Sequence, residues 1–261
     1  MKRLKAIVSY DGTNFSGYQV QVNARTVQGE LENALKKIHK VPTFKVISSG
    51  RTDAKVHGIN QPIHFDTTLS IPEDRWPRAL NSLLPNDIVV KEVKEVEPHF
   101  HARFDTVGKE YRYIVNSADM QDVFKRNYTH HLPAQLSLEK MKEAAGHLIG
   151  THDFTSFSSP KTEVIDKVRT IFAIDIKQSD DEWTFTFVGS GFLYQMVRIL
   201  VGTLLDIGQG DREPEEVPRI LEGKNRELAS PTAPGSGLYL AHVFYDNEAL
   251  EKEIQKLGKE K

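Results

Sequence analysis

The sequence predicts an α+β protein of two domains, each a largely antiparallel sheet with helices on one face, with an active-site cleft between them. Alternation of apolar and polar residues, as in Trp183-Thr184-Phe185-Thr186-Phe187, is the period-2 signature of strands with one buried face. In each half one stretch switches to helical spacing, at Val27, Leu31, Ala34, Leu35 and Ile38 and again at Leu138, Met141, Ala145 and Leu148. Each half thus mixes several strands with one main helix, the pattern of α+β architecture. The 261 residues suffice for two domains of ordinary size. The pattern sets them at 1–105 and 106–246, followed by a charged tail over 247–261.

The first half opens on a strand, because Leu4, Ala6, Ile7 and Val8 follow a basic start and end at Tyr10-Asp11-Gly12. Residues 11–19 have turn chemistry with aromatics interleaved. Thr26 is placed to cap the helix that follows. Strands are expected over 44–49 and 59–65, flanking a polar loop. A short helix opened by Pro77 carries Ala79, Leu80, Leu83 and Leu84, and Pro85-Asn86-Asp87 stops it. Residues 88–96 read as another strand. In the second half, Lys109 to Val115 form a strand in which Tyr111, Tyr113 and Val115 share one face. A helix from Ser137 ends at Gly150, a polar and aromatic loop covers 151–160, and strands over 168–176 and 183–188 suit an antiparallel pair. An apolar helix over 192–207, a short helix over 214–221 and a closing strand over 238–245 complete the domain. The tail has weak helical periodicity and dense charge, so it is expected to fray.

Composition removes several function classes. There is no cysteine, hence no disulfide framework, no thiolate nucleophile and no cysteine zinc site, which fits a reducing, cytoplasmic compartment. The longest apolar run, 192–205, is interrupted by Gln195, Arg198 and Thr203 and is shorter than a membrane span. A formal net charge of −2 means that any surface for a polyanion must be locally basic. Gly189-Ser190-Gly191 lacks the third glycine of a dinucleotide site, and no Walker loop, His-Glu-x-x-His motif or Gly-x-Ser-x-Gly elbow occurs. No cofactor is indicated.

The stretch with the most chemistry is Gly50-Arg51-Thr52-Asp53-Ala54-Lys55-Val56-His57-Gly58, a charged loop between two strands. If its start is extended, Arg51 and Asp53 lie on one face and can pair. A guanidinium beside a carboxylate lowers the acid's pKa by about 1 to 3, which would keep Asp53 ionised and able to attack carbon or take a proton. Arg198, the one charge within 192–205, either snorkels outward or turns inward to an acid, for which Asp53 is a candidate. Tyr111 is either a half-buried sheet residue or a platform for a nucleobase. His99, His101 and Asp105 are the remaining cluster that could approach a metal, but no further ligand is spaced to complete a site.

Together with Tyr10-Asp11-Gly12-Thr13-Asn14-Phe15, Thr26-Val27-Gln28-Gly29-Glu30-Leu31-Glu32, Lys109-Glu110-Tyr111-Arg112-Tyr113, Gly191-Phe192-Leu193-Tyr194-Gln195-Met196-Val197-Arg198 and Thr232-Ala233-Pro234, the loop resembles the tRNA pseudouridine synthase A (TruA) family. The matches run in order from residue 9 to about 245. Three positions depart from the family pattern: Lys55 where glycine is common, Gly58 where alanine is, and Tyr18 where tryptophan is. The resemblance implies isomerisation of uridine to pseudouridine at positions 38, 39 and 40 of the tRNA anticodon stem-loop, without metal or organic cofactor, by a homodimer. It implies that Asp53 is the nucleophile, that Tyr111 contacts the target uridine and that Arg51 and Arg198 flank the acid. The alternatives are an RNA-binding module without chemistry and a metal-dependent hydrolase using His99, His101 and Asp105.

Overall fold

The computed structural model describes residues 1–259. In chain order the elements are β1 (Lys2–Tyr10), α1 (Val27–His39), β2 (Ile47–Ser48), β3 (His57–Thr67), α2 (Trp76–Asn81), β4 (Ile88–Val96), β5 (Gly108–Asn116), β6 (His130–His131), α3 (Leu138–Gly146), β7 (Gly150–Asp153), β8 (Val168–Ser179), β9 (Glu182–Gly189), α4 (Met196–Gln209), α5 (Glu216–Gly223), β10 (Leu238–Phe244) and α6 (Asn247–Lys259). The mixed α and β content agrees with the alternating and helical spacings of the sequence. The chain divides into two compact units, Met1–Val107 with Tyr239–Tyr245, and Gly108–Leu238 with the residues from Asp246 onward.

In the first unit the strands lie in the order β4-β1-β3-β10, with β2 also paired to β3. Antiparallel ladders join β1 to β3 and β4, whereas β10 runs parallel to β3, Tyr239 opposite His57 and Leu240 opposite Gly58. Alternation along β1 buries Leu4, Ala6, Val8 and Tyr10, which join a core with Val27, Leu31, Ala34 and Leu35 of α1 and Trp76 and Leu80 of α2. Thr26 caps α1, its hydroxyl accepting the Gly29 N–H at 3.3 Å. The strand expected over 44–49 shrinks to Ile47–Ser48, because the Val46 N–H donates to Glu32 of α1 at 3.2 Å instead of to a neighbouring strand. The closing strand, expected within 106–246, pairs with β3, and Tyr239–Tyr245 belongs with the first unit.

In the second unit antiparallel pairing gives the order β5-β9-β8-β7, and β6 pairs parallel to β5. Trp183, Phe185 and Phe187 are buried as their alternation predicts. Ser137 caps α3, which stops at Gly146 instead of Gly150 because the chain then turns into β7. That strand lies in a stretch that reads as loop: its partner, Val168 to Ile171 of β8, is remote in sequence and leaves no local pattern. Helix α4 begins at Met196, four residues later than its apolar run, because Gln195 adopts a left-handed φ of 62°. The charged tail does not fray over the described residues. It forms α6, with Leu250 and Leu257 buried and Leu250 packed so closely on Gly108 that a side-chain carbon there would lie 2.8 Å away. The last two residues of the expected tail, 260–261, lie outside the described part.

Candidate active site

The Asp53 loop is held by its backbone. At its entrance the Gly50 carbonyl accepts from the Ser48 hydroxyl at 2.8 Å and from Gln61 Nε2 at 2.5 Å, and the fully buried Gln61 also accepts from Ser49 through Oε1 at 3.0 Å. Thr52 follows, buried, with Oγ1 at 2.8 Å from the Tyr10 hydroxyl and its carbonyl accepting the Tyr18 N–H at 3.0 Å. The next four residues close a turn in which the Val56 N–H donates to the Asp53 carbonyl at 3.2 Å. Lys55, third in that turn, has φ of 65°, the conformation for which glycine is ordinarily chosen.

A second loop, 11–19, backs onto this one through two glycines. A side-chain carbon at Gly12 would lie 2.1 Å from the Val56 carbonyl oxygen, and at Gly17, where φ is 103°, 2.9 Å from the Thr52 carbonyl oxygen. Only glycine permits this backbone-to-backbone approach. The exit of the loop is fixed by His57, buried and stacked on Tyr239 with ring centroids 4.7 Å apart. Its Nδ1 accepts the Gly12 N–H at 3.0 Å and lies 3.2 Å from Asp11 Oδ1, so neutral His57 takes the first contact and protonated His57 the second. Asp53 is half-buried between these anchors, while Arg51 is exposed and forms no ion pair among the described residues.

The other candidates lie in the second unit. Tyr111, 9% exposed, stands on β5 opposite Phe187, and its ring meets Phe192 edge to face at 5.2 Å and 81°. Arg198, in the first turn of α4, is half-buried, and its Nε donates to the Ala233 carbonyl at 2.7 Å while the Ala233 N–H donates to the Arg198 carbonyl at 3.1 Å. This reciprocal pair requires the 231–234 segment to lie against the helix, which Gly202 allows: a side-chain carbon there would be 2.1 Å from the Pro231 oxygen. Tyr113 braces the same segment by donating to the Pro234 carbonyl at 2.8 Å. Burial pushes its hydroxyl pKa well up, opposed by the Arg198 charge.

His101 and Asp105 are engaged in a turn of their own. His101 Nδ1 accepts the Arg103 and Phe104 N–H groups, each at 3.2 Å, and Asp105 Oδ2 accepts the His101 N–H at 2.7 Å. Among the described residues no group of three or more histidines and acids is arranged to hold a metal ion.

The family model described as tRNA pseudouridine synthase matches residues 6–105 and 144–246, taking in the Asp53 loop, its glycine support and the Arg198 helix. The chain belongs to this family. Curated synthases to which it is similar include tRNA pseudouridine synthase A of Anoxybacillus flavithermus, 58% identical over 95% of this chain and 100% of the relative. That of Bacillus subtilis is 57% identical over 94% of this chain and 100% of the relative, and that of a Geobacillus species 54% identical over 94% and 99%.

Residue types in the sequence point to Asp53, Arg51, Arg198 and Tyr111 as candidates, but not to what holds each of them in place. Tyr10, Gly12, Gly17 and Gln61 around Asp53, and Gly202 and Ala233 around Arg198, act through contacts that their residue types alone do not announce. The available signal was the glycine spacing: Gly12 and Gly17 bracket a short turn around Phe15, and Gly202 sits in the middle of a mostly apolar helix.

Proposed function

We propose that this chain converts uridine to pseudouridine at positions 38, 39 and 40 of the tRNA anticodon stem-loop, with Asp53 as the nucleophile acting on a flipped-out uridine. The coarser statement needs no proposal: as a member of its family, the protein is an isomerase acting on uridine in tRNA. The reaction exchanges the bond from the ribose C1′ to N1 of uracil for one from C1′ to C5. C5 loses a proton and N1 gains one, so no oxidant, reductant or carried group enters. What it needs is a fixed carboxylate, room for the freed base to turn and a proton acceptor near C5.

The observation that carries the reading is the immobilised backbone around Asp53. The Gly50 and Thr52 carbonyls and the Asp53-to-Val56 turn are hydrogen-bonded, and two glycines bring a second backbone against them. A carboxylate set on such a frame starts near its reactive geometry, where proximity contributes most. In this reading Tyr111 contacts the target base, offsetting part of the few kcal/mol, about, that extrusion from a stem costs. Arg51, exposed on the loop, takes the place the base vacates, and Arg198 flanks the acid. The enzyme acts in the cytoplasm as a homodimer and uses neither metal nor organic cofactor.

The test is to map pseudouridine by carbodiimide treatment and primer extension on unmodified tRNA. Wild type is expected to produce stops at positions 38, 39 and 40, and Asp53→Asn none, while the variant still binds tRNA. An unchanged modification level in Asp53→Asn would remove Asp53 from the chemistry, and stops elsewhere in the tRNA would remove the positional assignment.

A further inference from the structure

Phe104 is 76% exposed, among the most exposed large apolar side chains of the first unit, yet it does not sit on a loose loop. Besides the three bonds already described, the Asp105 N–H donates to the His101 carbonyl at 3.1 Å and the Thr106 hydroxyl to the Arg103 carbonyl at 3.2 Å. Beneath the turn Ala102 is fully buried, its N–H given to His64 Nδ1 at 3.1 Å and its carbonyl accepting the Tyr245 hydroxyl at 2.7 Å. One face of the Phe104 ring lies on the His101 ring, centroids 4.2 Å apart and 26° from parallel. A rigid turn thus holds a planar apolar surface out to water with its other face uncovered.

Beside it stands Arg103, exposed, with no carboxylate paired to it among the described residues. Its pKa is lowered by desolvation first and then by the like charge of Arg51 on the Asp53 loop. Neither guanidinium is paired to a carboxylate among the described residues, and their like charges favour an anion on this face. An aromatic face with Arg103 next to it in the same turn matches one repeating chemistry, a base followed by a phosphodiester.

We propose that the His101-to-Thr106 turn is a second RNA-binding element, in which Phe104 stacks on a nucleobase near the target uridine while Arg103 holds the adjoining phosphodiester. This rests on tRNA being the substrate presented to Asp53. The ligand is a single-stranded or unstacked nucleotide of that tRNA, since a base within an intact stem has no free face to offer.

Phe104→Trp tests the stacking directly. The native tryptophans, Trp76 and Trp183, are 0% and 2% exposed, so a quench of emission that appears on adding unmodified tRNA to the variant and is absent from wild type reports position 104. Phe104→Ala is expected to weaken tRNA binding by about 5- to 100-fold with an unchanged salt slope. Arg103→Gln is expected to weaken it while reducing the slope of log Kd against log salt by about 1. Unaltered emission from Phe104→Trp at saturating tRNA, or a Phe104→Ala affinity within about twofold of wild type, would overturn the proposal. A Phe104→Ala variant that keeps its tRNA affinity but sediments differently would overturn it too, by making the ring a protein contact. Wild type is assayed for pseudouridine on the same tRNA: if it modifies the tRNA and Phe104→Ala binds normally, only this inference fails, whereas unmodified tRNA defeats the functional reading itself.

Discussion

The hydroxyl of Tyr10 stands 2.8 Å from Oγ1 of Thr52, with the two residues 4% and 8% exposed. A strand in the core thereby holds the residue before the candidate nucleophile. Tyr10→Phe leaves the Thr52 hydroxyl buried without this partner, which costs about 1–3 kcal/mol in urea unfolding. Adding Thr52→Val removes both polar partners and should recover part of that loss. If the bond positions Asp53, single-turnover pseudouridine formation falls in Tyr10→Phe while the tRNA Kd stays within error. Equal effects on both would reduce the pair to a structural role.

Lys55 is the clearest strained position in the loop. Its φ of 65° costs a non-glycine residue about 1–2 kcal/mol, and glycine escapes that cost while losing about 0.5–1 kcal/mol of chain entropy. Lys55→Gly should therefore be as stable as wild type or slightly more so, and Lys55→Val clearly less so, because β-branched side chains tolerate this region worst. Thermal unfolding of the three proteins gives the order directly.

Gly202 and Gly146 make an opposed pair. Gly202→Ala forces a carbon to within 2.1 Å of the Pro231 oxygen, so the helix and the 231–234 segment must part, at about 1–3 kcal/mol, and the Arg198 bond to Ala233 is lost with them. At Gly146, in the last turn of α3, nothing lies within 4 Å of the added carbon, and alanine there should raise stability by about 0.5–1 kcal/mol. Chemical denaturation of both variants should show opposite signs; the same sign would mean that the close approach at Gly202 relaxes freely.

His64 supplies a pH dependence. Burial, then the charges of Arg3 and His101, push its pKa down to about 4, against smaller opposing effects of Asp66 and Asp105. The unfolded residue titrates near about 6.5, so below that pH the unfolded chain binds a proton that the folded chain refuses. Stability from this group is complete above about 6.5 and drains away as the pH falls toward about 4. Asp66, hydrogen-bonded to Arg3 and held below its ordinary value, adds its own loss at still lower pH. His64→Asn should flatten the stability profile between about 6.5 and 4 and leave the more acidic limb in place; an unchanged slope in that window would assign it to other groups.

How much of this was legible beforehand depended on how local the cause was. The caps Thr26 and Ser137, the alternation in β1 and β9 and the charged loop around Asp53 declare themselves within a few residues, and the structure has each of them. What escaped depends on partners far along the chain. The Tyr10 contact spans 42 residues, β7 exists because β8 lies beside it, and Val46 leaves its strand for a carboxylate of α1. The charged tail misled for the same reason: its apolar positions are few, but Leu250 and Leu257 both find cover.

The parallel seam between Tyr239 and His57 also governs when the protein can mature. Ribosomes deliver β3 well before β10, so the sheet that carries the Asp53 loop stays open along one edge while the intervening 170 residues, 68–237, are made. Long-range parallel pairing is slow to form and leaves an adhesive border meanwhile. A nascent chain halted at residue 107 would own every residue of the Asp53 loop, yet would lack the aromatic ring that His57 stacks on and the strand that pairs with β3 there. Completion of the frame around Asp53 in this way waits for the emergence of β10.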